Sequence, residues 1–215
     1  GQTEAGSMAV CMSKQHHIDA LASGKLEILG SSGRPINTVD VRIVDDEDRD
    51  VPVGEMGEAI FRGDTIMREY WNAPEATAAA LRGGWLHTGD IVHADEAGFV
   101  YHVDRKKDII ISGGVNISAR EIEEAIYRHP GVRECAVIAV PDTHWGESVK
   151  AVVSVRDGQS VTSEEIMALC REKLANFKCP RSVDFVGEFP KSGMGKILKR
   201  ELKKMYWGDR DRLVS

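Results

Sequence analysis

Asp108-Ile109-Ile110-Ile111-Ser112-Gly113-Gly114, followed by Ser118-Ala119-Arg120-Glu121, is the stretch that decides the fold. Three isoleucines between a polar residue and two glycines spell a short buried strand that stops abruptly. Ser118 with Glu121 three residues on is a capping box, so a helix begins there. Ile122, Ala125, Ile126 and His129 then fall on one helical face, with Glu123, Glu124 and Arg128 outside it. Pro130-Gly131 ends the helix. The same alternation continues downstream. Residues 135–140 (Cys-Ala-Val-Ile-Ala-Val) and 150–155 (Lys-Ala-Val-Val-Ser-Val) read as strands, and Thr162-Ser163-Glu164-Glu165 is a second capping box. Its helix turns Ile166, Leu169, Cys170 and Leu174 inward. Residues 183–186 read as a late strand, and a Lys/Arg-rich helix follows Lys196. Interleaved strands and helices predict a compact α+β or α/β domain over residues 109–215.

Residues 1–103 read differently. Lys25–Leu29, Val39–Val44 and Glu58–Arg62 alternate or nearly alternate, as half-buried strands do, with Gly33-Arg34-Pro35, Val53-Gly54-Glu55 and Gly83-Gly84 as punctuation. A small antiparallel sheet or partial barrel is expected, interrupted by a helix from Pro74 to Leu81 with its proline in the first turn. The overall class is therefore mixed α/β and α+β: a β-barrel-like subdomain, a charged boundary at 104–108, and the α+β domain.

Bulk properties exclude some functions. The formal net charge of −6 argues against general nucleic-acid affinity. No apolar run approaches the ~20 residues needed to cross a bilayer. Four cysteines, at 11, 135, 170 and 179, form no C-x-x-C pair and read as thiols of a reducing compartment, hence the cytoplasm. No secretory signal is visible. The chain opens on Gly1-Gln2-Thr3-Glu4-Ala5-Gly6 without an initiator methionine, and is expected to continue something upstream.

Five local arrangements can carry chemistry. Pro190-Lys191-Ser192-Gly193-Met194-Gly195-Lys196 puts a lysine on a tight loop, where a compact cation reaches a phosphate or carboxylate; a solvated basic turn is the bland alternative. In Gly84-Trp85-Leu86-His87-Thr88-Gly89-Asp90 the aspartate can accept both hydroxyls of a ribose, although an ordinary Thr-Gly-Asp turn looks the same. Val103-Asp104-Arg105-Lys106-Lys107-Asp108 crowds five charges at the boundary, either a plain charged linker or, with Arg105, a partner to Asp90 from a neighbouring strand. Ser112-Gly113-Gly114 leaves bare backbone past which a thin ligand can run. Thr3-Glu4 sets a hydroxyl beside a carboxylate, a pairing that suits phosphate with Mg²⁺. His87, His102 and His129 show no partner spacing, and Trp145 is as easily a packing residue.

In order, Gly1-Gln2-Thr3-Glu4, then Gly57–Gly63 with Tyr70-Trp71, then Gly84–Asp90, then Asp104–Gly114, then Pro190–Lys196 resemble the motifs of the AMP-forming acyl-CoA synthetases. These belong to the adenylate-forming superfamily, with luciferases and peptide-synthetase adenylation domains. The resemblance covers essentially the whole chain. It implies the C-terminal part of such an enzyme, with the family's phosphate loop and most of the acyl pocket lying upstream, and so no adenylation by this stretch alone. It implies ATP, Mg²⁺ and coenzyme A as cofactors and a carboxylic acid as substrate. It assigns Gln2, Thr3 and Glu4 to phosphate and Mg²⁺, Asp90 and Arg105 to ribose, and His102 to the adenine side. Lys196 becomes the lysine of the adenylation step, and Lys107 the hinge of a mobile lid. Gly113 and Gly114 line the pantetheine tunnel, while Trp145, Phe177 and Arg181 lie near coenzyme A. Where some relatives carry a basic residue after Phe-Lys, this chain has Cys179, with Arg181 close by. The spacing from Pro190 to Lys196 also resembles sites that lysine acetyltransferases modify. The alternatives are another adenylate-forming enzyme (an aryl-CoA ligase, a carrier-protein ligase or a luciferase-like oxygenase) and, from a different class, a non-catalytic binding remnant.

Overall fold

The computed structural model describes residues 1–6 and 8–207. The chain forms two compact units, Gly1–Lys107 and Asp108–Ser215.

In the first unit, β1 (Val10–Cys11) pairs with β2 (Arg34–Pro35), and α1 spans Lys14–Ser23 between them. Then β3 (Val39–Val44), β4 (Gly57–Gly63), β5 (Leu86–Ala94) and β6 (Val100–Arg105) form an antiparallel sheet in sequence order. This is the small antiparallel sheet that the sequence predicts, with no closed barrel among the described residues. The alternation of Val39, Ala59, Phe61, Leu86, Val92 and Val100 turns one face inward, against Ala5 and Ala9. α2 (Pro74–Ala80) carries its proline in the first turn, as the sequence predicts.

One expectation changes here. Lys25–Leu29 is not a strand: Leu26–Gly30 forms a 3-10 helix with Leu26 and Leu29 exposed. Alternation over five residues fits a tight turn as well as a strand, and no neighbouring strand pairs with it in the described sheets. α1 gives little signal because its apolar residues, Ile18, Ala20, Leu21 and Ala22, are mostly exposed; only Ala20 is buried. Its capping box uses His16 where Glu or Gln is usual, with Ser13 Oγ accepting from His16 N–H at 3.1 Å.

In the second unit, β7 (Ile110–Ser112) and β8 (Val115–Ile117) form a hairpin around Gly113-Gly114. α3 (Ala119–Ile126) follows, with Ser118 Oγ accepting from Glu121 N–H at 3.2 Å. β9 (Val132–Asp142) and β10 (Gly146–Val155) make a long antiparallel ladder, then α4 (Ser163–Lys173), β11 (Ser182–Phe185) parallel to β10, and α5 (Lys199–Trp207). The ladder is covered on both faces. Cys135, Val137, Ala139, Val149, Ala151 and Val153 pack with Ile122, Ile126, Ile166 and Cys170, while Ala136, Ile138 and Val152 pack with Leu202 and Phe189. A strand buried on both sides reads as a continuous apolar run, which is how 135–140 reads.

Candidate active site

The Thr-Gly-Asp segment of the first unit is a bulge. Glu58 pairs with Ile91 and Ile60 with His87, so Thr88, Gly89 and Asp90 together oppose Ala59. Thr88 Oγ1 donates to Ala59 O at 2.7 Å and accepts from Asp90 N–H at 3.0 Å. Gly89 sits at φ +70°, a left-handed conformation that favours glycine. The bulge turns Asp90 toward β6, where Arg105 is its register partner. Arg105 Nε lies 2.6 Å from Asp90 Oδ1, and His102 Nε2 lies 3.4 Å from the same oxygen. Asp90, His102 and Arg105 are thus brought together from adjacent strands: a carboxylate with two nitrogen-bearing side chains beside it.

The opening turn is held separately. Thr3–Ala5 is a 3-10 turn whose Glu4 O accepts from Met67 N–H at 2.7 Å. Tyr70 donates its hydroxyl to Glu4 Oε1 at 2.8 Å, and that bond, with burial, raises the Tyr70 pKa. Gln2 O accepts from Ala5 N–H, and Thr3 is exposed. Among the described residues no group of three His, Cys, Asp or Glu is placed to hold a metal ion. One carboxylate with an adjacent hydroxyl fits a Mg²⁺ that takes its other ligands from phosphate and water. Tyr70 is a site neighbour that sequence reasoning missed; its only signal was its place in the second motif.

Glu58 was missed as well. It lies within an apolar strand at 5% exposure. Oε1 accepts from Gly89 N–H at 3.0 Å, and Oε2 lies 3.1 Å from Lys106 Nζ. Lys106 also reaches Asp46 at 2.7 Å. Burial works against its ammonium, but the bonds to Asp46 and Glu58 outweigh that and raise its pKa. Lys107 is exposed in the 3-10 turn Lys106–Asp108, at the end of the first unit.

In the second unit, Gly113 and Gly114 adopt φ +58° and +80°. Gly113 N–H donates to Trp145 O at 2.9 Å, and a Cβ on Gly113 would lie 2.5 Å from Trp145 Cε3. The Arg181 guanidinium stands 5.3 Å from the Trp145 ring centroid, a cation–π contact. The N–H groups of Trp145 and His144 hold Asp142 below its usual carboxylate range. Gly113, Trp145 and Arg181 therefore form one cluster with the indole 40% exposed. Phe177 is exposed in its own 3-10 turn, with the Lys178 ammonium 5.9 Å from its ring.

Lys196 closes a tight hairpin. Ser192 N–H donates to Lys196 O at 2.8 Å, Lys196 N–H to Ser192 Oγ at 3.2 Å, and Lys191 bridges Ile197. Gly195, at φ +79°, makes the turn possible. Lys191–Glu134 and Lys199–Glu123, each 2.7 Å, fasten both sides of the loop while Lys196 itself is exposed.

Residues 1–71 match the family model of the AMP-binding enzymes, and residues 121–196 match that of the AMP-binding enzyme C-terminal domain. The chain belongs to the AMP-binding enzyme family. The resemblance carried by the five motifs is thereby borne out. A feruloyl-CoA synthase of an Amycolatopsis species is 43% identical over 206 residues, 96% of this chain and 40% of that protein. A long-chain-fatty-acid–CoA ligase of Bacillus subtilis is 48% identical over 174 residues, 80% of this chain and 31% of the ligase. The chain thus spans well under half the length of these curated relatives. Among solved structures, the o-succinylbenzoate CoA synthetase of Bacillus subtilis in complex with its acyl-adenylate intermediate superposes with a TM-score of 0.84 at 32% identity, over 94% of this chain and 40% of that one. The same synthetase is also known in complex with ATP and magnesium ion, with a TM-score of 0.82. Among the described residues no helix is long and apolar enough to cross a membrane.

Proposed function

We propose that this chain is the C-terminal part of an AMP-forming acyl-CoA synthetase. The carboxylate of the substrate acid attacks the α-phosphorus of ATP, pyrophosphate leaves, and the thiol of coenzyme A then displaces AMP from the acyl-adenylate. The observation that carries this is the division of labour between the units. The first joins Asp90 to Arg105 across β5 and β6, and the second presents Lys196 on a pinned hairpin. Asp90 and Arg105 then take the ribose hydroxyls, with His102 on the adenine side. Gln2 and Thr3 border the phosphates, and Glu4, whose Oε1 accepts from the Tyr70 hydroxyl, would hold Mg²⁺. When bound, Mg²⁺ offsets phosphate charge. Lys196 places a preorganised cation where carboxylate meets phosphate and negative charge builds. Gly113 and Gly114 leave room for a thin pantetheine arm, and Trp145, Phe177 and Arg181 border coenzyme A. Lys107 is the hinge at which few torsions redirect the lid between half-reactions. A place in fatty-acid or aromatic-acid activation in the cytoplasm suits this chemistry. An exposed Lys196 also suits control by a lysine acetyltransferase, since acetylation removes the charge the step needs.

The test is Lys196→Ala in the full-length enzyme. Acid-dependent ATP–pyrophosphate exchange should fall by about 10²–10³-fold, the cost of a lost oxyanion donor. Thioester formation from supplied acyl-adenylate should be much less affected. Equal loss in both half-reactions would remove Lys196 from the adenylation step.

A further inference from the structure

We propose that Glu58 is a positioning residue for the nucleotide: it fixes the bulge that aims Asp90, and Lys106 in turn orients Glu58. The inference rests on the reading of Asp90 as the ribose carboxylate. A carboxylate at 5% exposure in an apolar strand is costly unless paired and hydrogen-bonded. Glu58 spends its two oxygens on two different elements, Oε1 on the Gly89 N–H and Oε2 on the Lys106 ammonium. The first bond matters because the bulge puts Thr88, Gly89 and Asp90 opposite Ala59 alone, so the ladder cannot supply partners for all three. Side chains do so instead: Thr88 caps Asp90 N–H and Ala59 O, and Glu58 caps Gly89 N–H. Asp90 follows directly, so its carboxylate inherits whatever rotation Gly89 is allowed.

The second bond shows that more than an acceptor is required. A neutral amide would satisfy Gly89, but Lys106 calls for a negative partner, and its other partner, Asp46, is 80% exposed and so strongly screened. The remaining side of Glu58 is closed by His87, whose Nδ1 lies 3.7 Å from Oε2. That nitrogen is buried without a hydrogen-bond partner among the described residues. The carboxylate is therefore held from three sides within the first unit: by β5 through Gly89, by the chain end of β6 through Lys106, and by the His87 ring.

The experiment compares ATP with 3′-deoxyATP in adenylation by the full-length enzyme, as the ratio of kcat/KM. Because Asp90 reads the ribose hydroxyls, Glu58→Ala should lower this selectivity by about tenfold, the scale of one charge-assisted hydrogen bond. Glu58→Gln keeps the acceptor for Gly89 but offers Lys106 no charge, and should give a ratio between those of the parent and Glu58→Ala. A purely structural Glu58 would lower thermal stability and depress both nucleotides equally; that result, or wild-type selectivity in Glu58→Ala, overturns the proposal. Should Glu58→Ala fail to fold, Lys106→Met leaves Glu58 in place without its cation and must move the ratio in the same direction. An unchanged ratio there overturns it too. A parent enzyme without acid-dependent adenylation sinks the functional reading itself, and this inference with it.

Discussion

Gly113 and Gly114 are neighbours with different reasons to be glycine. Both lie in the left-handed region, where a side chain costs about 1–2 kcal/mol. Only Gly113 would also drive a Cβ to 2.5 Å from the Trp145 ring; at Gly114 nothing lies within 4 Å. Gly114→Ala should therefore cost about 1–2 kcal/mol, as backbone strain alone. Gly113→Ala should cost more and displace the half-exposed indole, which changes tryptophan fluorescence. In the full-length enzyme that displacement should raise the KM for coenzyme A and leave adenylation near the parent rate. Urea titration of both variants with the two half-reactions checks this; equal costs would mean that the ring moves aside freely. At this scale the glycines and Trp145 were each legible as candidates, but their contact was not. A Gly-Gly pair marks bare backbone in any fold, whereas Trp145 is distant in sequence and joins it through the pairing of Ser112 with Gly146.

Among the elements, α5 is fastened to the sheet by a polar triad as well as by Leu202. Lys150 on β10 lies 2.9 Å from Asp184 on β11, and its ammonium stands 4.8 Å from the ring centroid of Tyr206. The Lys150 bond holds Asp184 below the usual carboxylate range. Burial, followed by the bond to Asp184, pushes the Tyr206 phenol up to about 12. A folded-state pKa above the unfolded one gives stability that is fully present below the unfolded value of about 10 and is lost as pH rises through the folded one. Stability should thus fall between about pH 10 and 12, and Tyr206→Phe should remove that part of the fall while leaving neutral-pH stability less changed. Urea midpoints of both proteins from pH 9 to 12 decide it; parallel curves would show that the phenol titrates as in the unfolded chain. Element boundaries were legible where local chemistry fixes them. Thr162 and Glu165 form the complete capping box expected of them. Lys25–Leu29 was misread because a five-residue alternation carries no information about whether a partner strand exists.

The whole molecule divides after Lys107, and each unit has its own apolar core. Lys107→Pro fixes one backbone torsion at that boundary and disfavours helical geometry at Lys106. In the full-length enzyme adenylation should survive and thioester formation should fail. Measurement of both half-reactions checks the expectation, with a melting curve to confirm folding. Unchanged turnover would remove Lys107 from the mechanism.

The sequence by itself determined the strand–helix alternation of the second unit, the Ser118 N-cap, the Thr162–Glu165 capping box and the motif order that names the family. Each depends on neighbours a few residues apart: hydrophobic period, turn chemistry and side-chain caps act locally. Only the tertiary structure decided which side chains serve those motifs. Tyr70 reaches Glu4 across 66 residues, Glu58 reaches Gly89 across 31 and Lys106 across 48. None of these pairs has a local signature, because a buried carboxylate looks like any strand residue until the fold supplies its partners. The physical reason is that strand register, set by burial of Val39, Ala59, Phe61 and Leu86 on one face, is what turns separate segments into one site.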